Sequence, residues 1–365
     1  MQEKDIYDII IENATKEWYW SMAKVSLVTN WEQPQYSKNK IEKAGKIIAN
    51  PESTDEEFDN ALIILNNWRS SHAYPLQVIT NNLRRNNTNA LVVQRLKRLD
   101  SIIGKIRRFP EMSLYKMQDL GGCRVIVDSL SQVYWSIAKF KTSHIRHILK
   151  KENDYILNPK ASGYRSYHMV YQYHSDDNET YNKNMLIEIQ FRTKLQHIWA
   201  TAVEVMGIYT KSQLKASIGN EDILRFFVLA SSIFAQMENM PVCPNTVDDR
   251  QILIEEMRKI DKKLNIVSRL SAISVAINHT NEKMDGKGYY LLQLNFQKKV
   301  LRVNGFNTNQ IDLATTVYNK IESLKNPDMD AVLVSATSFE ELKAAYPNYF
   351  TDISTFVSMM RELLE

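Results

Sequence analysis

Apolar residues recur about every 3.6 positions along the first part of the chain, a spacing that predicts helices. The segment "DEEFDNALIILNNWR" has this spacing, and Ser53 or Thr54 supplies a capping start. The next segment, "HAYPLQVITNNLRR", breaks at Pro75 and then resumes as a helix. We therefore predict a helical extension over residues 1–80, followed by a basic helix over residues 90–108.

Shorter apolar segments in the middle of the chain predict strands that alternate with helices. "GCRVIVD", "YHMVYQYH" and "MLIEIQFRT" are short and rich in β-branched and aromatic residues, as strands are. "SQVYWSIAKFKTSHIRHIL" and "KLQHIWATAVEVMGIYT" have helical spacing, and "SDDNETYNKN" reads as a polar turn. Residues 81–215 are therefore predicted to form an α+β domain, a mixed β-sheet flanked by helices.

In the last third of the chain the predicted secondary structure changes once, from helices alone to strands mixed with helices. The pattern from Glu221 to His279 is almost entirely helical and predicts a connector over residues 216–283. Beyond it, "YYLLQLNFQKKVLRVNGF" predicts a hairpin and "DAVLVSA" a strand, while "QIDLATTVYNKIESL", "SFEELKAAY" and "ISTFVSMMRELLE" predict helices. Two glycines in "KMDGKG" mark a boundary near residue 284, so residues 284–365 are predicted to be a small α+β domain of their own.

The amino-acid composition is that of a globular protein and argues against a membrane, secreted or disulfide-rich one. The 365 residues are 44% hydrophobic and 24% charged, which is ordinary for a globular chain. No apolar run approaches twenty residues, and the start "MQEKDIYDII" lacks an apolar signal core, so we expect a cytoplasmic protein that does not engage the membrane. The two distant cysteines, Cys123 and Cys243, exclude a disulfide framework and a thiolate-rich zinc site.

The local distribution of charge is more informative than the net charge of +4. The segment "VVQRLKRLDSIIGKIRR" sets a stripe of cations against a single acid, which suits phosphate or nucleic acid. On a helix, Lys97, Ser101 and Lys105 would share one face, and Arg95 would add a planar fork for phosphate oxygens. A solvated helix face is the alternative interpretation.

Two carboxylates stand beside predicted strands. Asp119 precedes a strand that begins with two glycines, which allow close backbone approach. By strand alternation, Glu188 shares a sheet face with Gln190 and Arg192, a polar set that suits a solvated pocket. Asp119 and Glu188 are therefore predicted to bind Mg²⁺ together with substrate phosphates, although an ordinary turn aspartate would also fit the first position.

Four ordered motifs between Arg95 and Ala200 resemble the RelA/SpoT synthetase domain: "RLKRLDSIIGK", "DLGGCR", "DYILNPKASGYRSYH" and "EIQFRTKLQHIWA". The resemblance implies a nucleotidyltransferase-like core that transfers a pyrophosphate from ATP to a ribose 3′-hydroxyl. Most members of the family use GDP or GTP as the acceptor and make alarmones, whereas a toxic branch uses the 3′ end of tRNA.

The resemblance also implies roles for individual residues. Asp119 and Glu188 match the magnesium and catalytic carboxylates, and Glu188 would act as base, metal ligand or both. Tyr164 matches the aromatic residue that stacks on the acceptor base, with Gly163 letting its loop turn. The residues implied in ATP binding are Arg95, Lys97, Ser101, Lys105 and Arg124. The residues implied in acceptor binding are Tyr155, Lys160, Tyr164, Arg165, His168, Gln190 and His197.

One departure from the family pattern concerns the helix that follows the catalytic strand. Members usually carry a Glu-His pair there, but in "WATAVEVMGIY" the acid is shifted to Glu204 and the histidine is absent. This departure weighs against a free guanosine nucleotide as the acceptor.

The layout of the whole chain resembles the CapRel-like fused toxin–antitoxin proteins, through the helical extension with "HAYPLQ" and the C-terminal α+β unit. This implies a pseudo-zinc-finger C-terminal domain that restrains the synthetase until a phage protein binds it. Tyr346 and Tyr349 of "AAYPNYF" would then cover the ATP site in the closed state. The alternative is that these tyrosines anchor the core of the small domain.

We therefore expect a pyrophosphotransferase that acts on the 3′ end of tRNA, an autoinhibited toxin in anti-phage defence. A GDP- or GTP-using alarmone synthetase with a regulatory C-terminal domain is the first alternative. An inactive nucleotide sensor is the second, and the intact Asp119 and Glu188 argue against it.

Overall fold

The computed structural model describes residues 31–210, 214, 219–275, 278–281, 288–295, 300–324, 329–336, 338–346 and 353–365. Three helices open this part of the chain: α1 (Lys38–Ala49), α2 (Asp55–Ser71) and α3 (Ala73–Asn86). A capping box between Thr54 and Glu57 starts α2, which confirms the predicted helix start. Pro75 lies within the first turn of α3, where a missing N–H is tolerated, so the helix break falls at His72 instead.

The central part of the chain alternates strands and helices, as its pattern predicts. Its elements are β1 (Leu91–Leu96), α4 (Leu99–Arg108), β2 (Gly121–Val127), α5 (Leu130–Thr142), β3 (Ile148–Asp154), β4 (Tyr167–Gln172), β5 (Leu186–Thr193) and α6 (Lys194–Tyr209).

The C-terminal part follows the predicted order of helices, hairpin, helix, strand and helices, except that the strand Asn278–Asn281 lies within the segment predicted as a helical connector, where it pairs with the second strand of the hairpin. Its elements are α7 (Glu221–Met237), α8 (Arg250–Leu264), α9 (Ile266–Val275), β6 (Asn278–Asn281), β7 (Gly288–Asn295), β8 (Val300–Asn307), α10 (Ile311–Ser323), β9 (Met329–Ala336), α11 (Phe339–Ala345) and α12 (Ser354–Leu364).

All nine described strands lie in one mixed sheet, in the order β3-β4-β5-β2-β1-β9-β7-β8-β6. The parallel pair β2–β5 forms the middle of the first half, and β1 pairs antiparallel with β2 on one edge and with β9 on the other. The sequence analysis suggested a separate small unit for the C-terminal strands. In the structure these strands extend the central sheet and do not form a sheet of their own. The predicted boundary near residue 284 lies outside the described residues and stays a prediction.

The structure corrects the predicted basic helix over residues 90–108. Its first half is the strand β1, and only Leu99–Arg108 is helical. The reason is tertiary: Leu91–Leu96 pairs along its whole length with β2 in the middle of the sheet, and such pairing overrides local helical spacing. A second difference is β3, which begins inside the segment predicted as the end of a helix; α5 stops at Thr142.

The two faces of the sheet are covered differently. Under the first five strands, α3 and α5 pack on one face, with Ile79, Val125 and Phe140 among the buried residues of that core. On the C-terminal strands, α11 covers the opposite face, which carries Val332 and Val334. A further core joins helices α6, α7, α8, α9 and α12. None of the helices within the described ranges combines the length and apolar character that a membrane span requires.

Candidate active site

The polar residues predicted to form a site lie on the sheet face opposite α3 and α5. Arg95 of β1, Gly122 of β2 and Glu188 of β5 stand opposite one another across three adjacent strands. Because paired residues point to the same face, these side chains share one surface with the next row, Arg124 and Gln190. A cavity of about 130 Å³ opens on this face, lined by Val93, Arg95, Lys97, Asp119, Gly122, Cys123, Arg124, Glu188, Gln190 and Tyr346.

Asp119 is the anionic centre of one side of the cavity. Its two carboxylate oxygens accept hydrogen bonds from the ammonium groups of Lys97, at 2.8 Å, and Lys105, at 3.0 Å. Burial alone would raise the pKa of Asp119, but the two lysines outweigh it and lower that pKa to about 2. Asp119 is therefore ionised, and both lysines already lie at the cavity.

Glu188 faces the same cavity and is held by two neighbours. Nδ1 of His168 lies 3.0 Å from one of its oxygens, and the amide of Gln190 donates to the other at 2.7 Å. Burial would raise the pKa of Glu188, but His168 outweighs it, so that pKa lies below its usual value. The Gln190 amide is fixed in turn by Arg192, which donates to its oxygen at 2.6 Å.

The side chain of Tyr164 continues this hydrogen-bonded chain. Its hydroxyl lies 2.8 Å from Nε2 of His168, and Arg192 donates to it at 3.3 Å. Burial would raise the pKa of Tyr164, but His168 and Arg192 lower it to about 7. Burial would likewise lower the pKa of His168, whereas Tyr164 and Glu188 raise it to about 9.

The loop that carries Tyr164 needs its glycine. Gly163 has a φ of +86°, and a Cβ atom at this position would come within 2.9 Å of the Trp199 ring. The turn predicted at Gly163 is therefore confirmed. On the same loop, the Lys160 ammonium lies 4.4 Å from the ring centroid of Tyr155 and 5.5 Å from that of Tyr164.

Of the predicted ATP-binding residues, Arg95, Lys97 and Arg124 line the cavity, and Lys105 reaches it through Asp119, although not by the predicted route. Arg95 lies on β1 and Lys97 in the link to α4, so the two do not share a helix with Lys105. Ser101 is exposed on α4, one turn before Lys105. Burial, followed by the charges of the neighbouring Arg192 and Arg95, lowers the pKa of Arg124 to about 9.

Two predicted acceptor-binding residues lie elsewhere. Arg165 is buried and donates to the Ser231 hydroxyl at 3.2 Å and to the Ile156 and Pro241 carbonyls at 3.0 and 2.6 Å. These contacts tie the loop to its surroundings, so the assignment of Arg165 to the acceptor is corrected to a structural one.

His197 is the second corrected residue. It lies on α6, where its Nε2 atom is 3.2 Å from the carbonyl oxygen of Ala344 on α11. It therefore faces the C-terminal unit, in a different cavity from the one that Asp119 and Glu188 share.

One residue of the site was given no role in the sequence analysis. Arg192 had been placed on the polar face of β5 but given no role, and it holds both Tyr164 and Gln190. Tyr346 is 3% exposed, lines the cavity and donates its hydroxyl to the Gln94 carbonyl at 3.1 Å. It also packs in the core of the C-terminal unit, as the second interpretation of this residue expects, while its covering of an ATP site stays a prediction. Tyr349 lies outside the described residues.

The donor set of the cavity fits Mg²⁺. Within the described residues no group of three or more His, Cys, Asp or Glu side chains is arranged to hold a metal ion. Asp119 and Glu188 nevertheless line one cavity, and Mg²⁺ is commonly held by one or two carboxylates together with substrate phosphates and water.

Comparison with known proteins identifies the region that contains this site. Residues 94–214 match the family described as a region found in RelA / SpoT proteins. The chain is 33% identical over 112 residues to the GTP pyrophosphokinase YjbM of Bacillus subtilis, a match that covers 30% of this chain and 52% of that protein. It is 32% identical over 114 residues to the GTP pyrophosphokinase YwaC of the same organism, covering 29% of this chain and 52% of that protein.

The chain thus spans about half the length of the curated relatives it matches. Among solved structures, the small alarmone synthetase 1 from Bacillus subtilis aligns with a TM-score of 0.39 and 22% identity, over 58% of this chain and 99% of that one.

Proposed function

We propose that this chain, which belongs to the RelA/SpoT-type synthetases through residues 94–214, is a pyrophosphokinase that transfers pyrophosphate from ATP to a ribose 3′-hydroxyl. The observation that carries the proposal is the single cavity in which Asp119 and Glu188 face Arg95, Lys97 and Arg124. Phosphoryl transfer depends chiefly on positioning and on neutralising charge, and this cavity supplies cations for the phosphates and a carboxylate for the attacking hydroxyl.

The cations would bind the phosphates of ATP. Lys97 and Lys105 are held at the cavity by Asp119, and Arg95 and Arg124 add guanidinium groups on the adjoining strands. Asp119 and Glu188 would hold Mg²⁺, which when bound neutralises phosphate charge. As ATP enters, the two lysines would exchange the Asp119 carboxylate for phosphate oxygens.

Glu188 would act on the acceptor. The ribose hydroxyl attacks the β-phosphorus of ATP, the bond from that phosphorus to the α,β-bridging oxygen breaks, and AMP leaves. Glu188 is ionised and fixed by His168 and Gln190, so it suits the proton of the attacking hydroxyl, the metal, or both. Tyr164 and Tyr155 offer aromatic faces for the acceptor base, with Lys160 above them for phosphate.

The proposed acceptor is the 3′ end of tRNA. Its support is the departure on α6, where Glu204 forms an ion pair with Arg98 at 3.5 Å and the expected histidine is absent. The second candidate is GDP or GTP, favoured by the similarity to two GTP pyrophosphokinases.

The C-terminal unit is proposed to restrain the enzyme, as in a toxin held inactive until a phage protein binds. Its support is Tyr346, which comes from that unit and forms part of the cavity wall next to Arg95 and Arg124. A side chain in this place would compete with ATP for the guanidinium faces.

Labelled ATP tests the proposal directly. The protein would be incubated with γ-labelled ATP and with bulk tRNA, GTP or GDP, using Glu188→Gln as the inactive control. Label on tRNA supports the proposed acceptor, and label on GTP or GDP supports the second candidate. A protein released from restraint that labels none of these acceptors refutes pyrophosphate transfer and favours a nucleotide sensor.

A further inference from the structure

The outer strand of the catalytic half of the sheet is unusually basic. From Lys139 to Lys151 the chain carries five lysines and arginines and no acid. This segment comprises the end of α5, a short link and the start of β3, which is the terminal strand of the sheet. We call its side chains, together with Trp135, the basic edge: Trp135, Lys139, Lys141, Arg146, Lys150 and Lys151.

An aromatic ring lies in this positive surface. Trp135 is 55% exposed, and the Lys139 ammonium lies 4.5 Å from its ring centroid, one helical turn further along α5. A large exposed ring beside cations is the combination that single-stranded nucleic acid uses, because bases stack on the ring while phosphates pair with the lysines.

The acids nearest to the basic edge are already bound. Glu152 pairs with Lys141 at 2.5 Å and accepts the Tyr167 hydroxyl at 2.8 Å. Asp154 accepts the Tyr134 hydroxyl at 3.0 Å, and Asp176 pairs with Arg146. The acids therefore offset Lys141 and Arg146, while Lys150 and Lys151 stay exposed on β3.

The basic edge reaches the active-site face. Lys151 stands opposite Val170, which stands opposite Glu188, so the three residues form one row across β3, β4 and β5. Asn153 likewise stands opposite His168. Lys151 therefore lies on the active-site face, two strands away from the proposed catalytic carboxylate. Trp135, Lys139 and Lys141 lie on α5, at the opposite face, so an RNA that contacts both parts of the basic edge would pass around the outer strand β3.

We propose that the basic edge binds the phosphate backbone of the RNA whose 3′ end is modified, with Trp135 as a stacking site. The inference rests on the proposed function and adds to it the surface that selects a polynucleotide over a free nucleotide. The competing occupant is a second copy of β3, but a bulge near Lys150 and two adjacent lysines oppose strand pairing at this edge.

The test compares three full-length variants in binding to bulk tRNA over a range of salt concentrations. These are Lys150→Glu with Lys151→Glu, Trp135→Ala, and the control Lys43→Glu with Lys46→Glu, which makes the same charge change on the exposed side of α1. The lysine variant should bind tRNA at least about tenfold more weakly and lower the slope of log K against log salt by about two. Trp135→Ala should weaken binding at least about fivefold, and the control should match the wild type.

Further measurements separate RNA binding by the basic edge from loss of the active site, self-association and membrane binding. Binding of an ATP analogue should be unchanged in all variants, which shows that the active site is intact. Wild-type protein that binds no tRNA, or edge variants that bind it like the control, would overturn the proposal. So would an effect of the variants confined to self-association or to anionic phosphatidylserine vesicles. Label transfer judges the proposed function separately: wild-type protein that binds RNA through this edge but labels only GTP refutes the tRNA acceptor and leaves the RNA-binding edge standing.

Discussion

Replacing Tyr346 by alanine is expected to raise the basal rate of pyrophosphate transfer. Tyr346 belongs to the C-terminal unit, and its ring forms part of the wall of the cavity that contains Arg95 and Arg124. If the closed arrangement excludes ATP, only the open fraction of molecules is active. A closed state favoured by a few kcal/mol leaves about 0.1–10% of molecules open, so weakening it increases activity in proportion to the open fraction.

The magnitude follows from two contacts. The Tyr346 hydroxyl donates to the Gln94 carbonyl at 3.1 Å, and such a bond contributes about 0.5–1.5 kcal/mol. The ring is 3% exposed, and truncating a buried large aromatic residue costs about 3–5 kcal/mol, part of which is lost from the core of the C-terminal unit itself. With about 2 kcal/mol lost from the closed state alone, the ratio of open to closed molecules rises roughly 30-fold, and the rate should rise by the same factor where the open fraction is at the low end of this range.

Initial rates of label transfer at limiting ATP provide the assay, with the affinity for an ATP analogue measured in parallel. Tyr346→Phe keeps the ring and loses one hydrogen bond, so its rate should rise by about fivefold. Leu342→Ala is the matched control, because Leu342 is fully buried in the same core but does not line the cavity. Thermal melting checks that each variant is folded. A folded Tyr346→Ala protein with unchanged basal rate and unchanged ATP affinity would refute the restraint, and an equal rise in Leu342→Ala would assign it to general loosening of the unit.

Three other predictions test the site and the packing around it. Asp119→Asn and Glu188→Gln should each lower transfer about 100-fold or more in protein that thermal melting shows to be folded, and near wild-type turnover in either would contradict the assignment. Tyr164→Ala should raise the acceptor KM by about 5- to 150-fold, because stacking on the ring is lost. Tyr164→Phe should leave KM unchanged and lower kcat, because the ring survives but the hydroxyl that contacts His168 is lost. Identical kinetics in the two variants would refute the stacking role. Glu322→Ala should lower the free energy of unfolding, measured in urea, by about 3–5 kcal/mol, because it leaves the buried Arg69 charge without its carboxylate partner. The double variant Arg69→Met with Glu322→Leu should recover much of the loss. An unchanged free energy of unfolding in Glu322→Ala would contradict this reasoning.

Local sequence patterns predicted an element correctly where a capping motif or a regular repeat of apolar residues marks it. The capping motif at Thr54 predicts the start of α2, and the apolar repeat of Leu186–Thr193 predicts β5. The pattern misled in β1, because six residues that mix apolar and polar side chains fit a helix or a strand, and only their pairing with β2 and β9 decides between the two. It also missed β3, whose exposed polar residues look like a loop until the neighbouring strand pairs with them.

The site residues were more predictable than the fold around them. Phosphate chemistry restricts the residue types at such positions, so motifs locate Asp119 and Glu188 without knowledge of the helix or strand that carries them. Arg165 shows the limit of that reasoning. A motif places it next to Tyr164, but in the folded loop its side chain turns into the protein and donates to Ser231, where it holds the loop and does not line the cavity.

The contact between Arg69 and Glu322 ties the C-terminal unit, at a second point, to the segment proposed to bind ATP. Arg69, on α2, is fully buried, lies 4.9 Å from the Tyr318 ring, and pairs with Glu322 of α10 at 2.5 Å. The other Glu322 oxygen accepts the backbone N–H of Leu99, the first residue of α4, at 2.9 Å. A carboxylate at a helix N-terminus is stabilising, so α10 holds the start of the helix that carries Lys105. Movement of the C-terminal unit would therefore disturb both the Tyr346 wall of the cavity and the helix behind its lysines, and these contacts would couple the proposed restraint to the proposed catalysis.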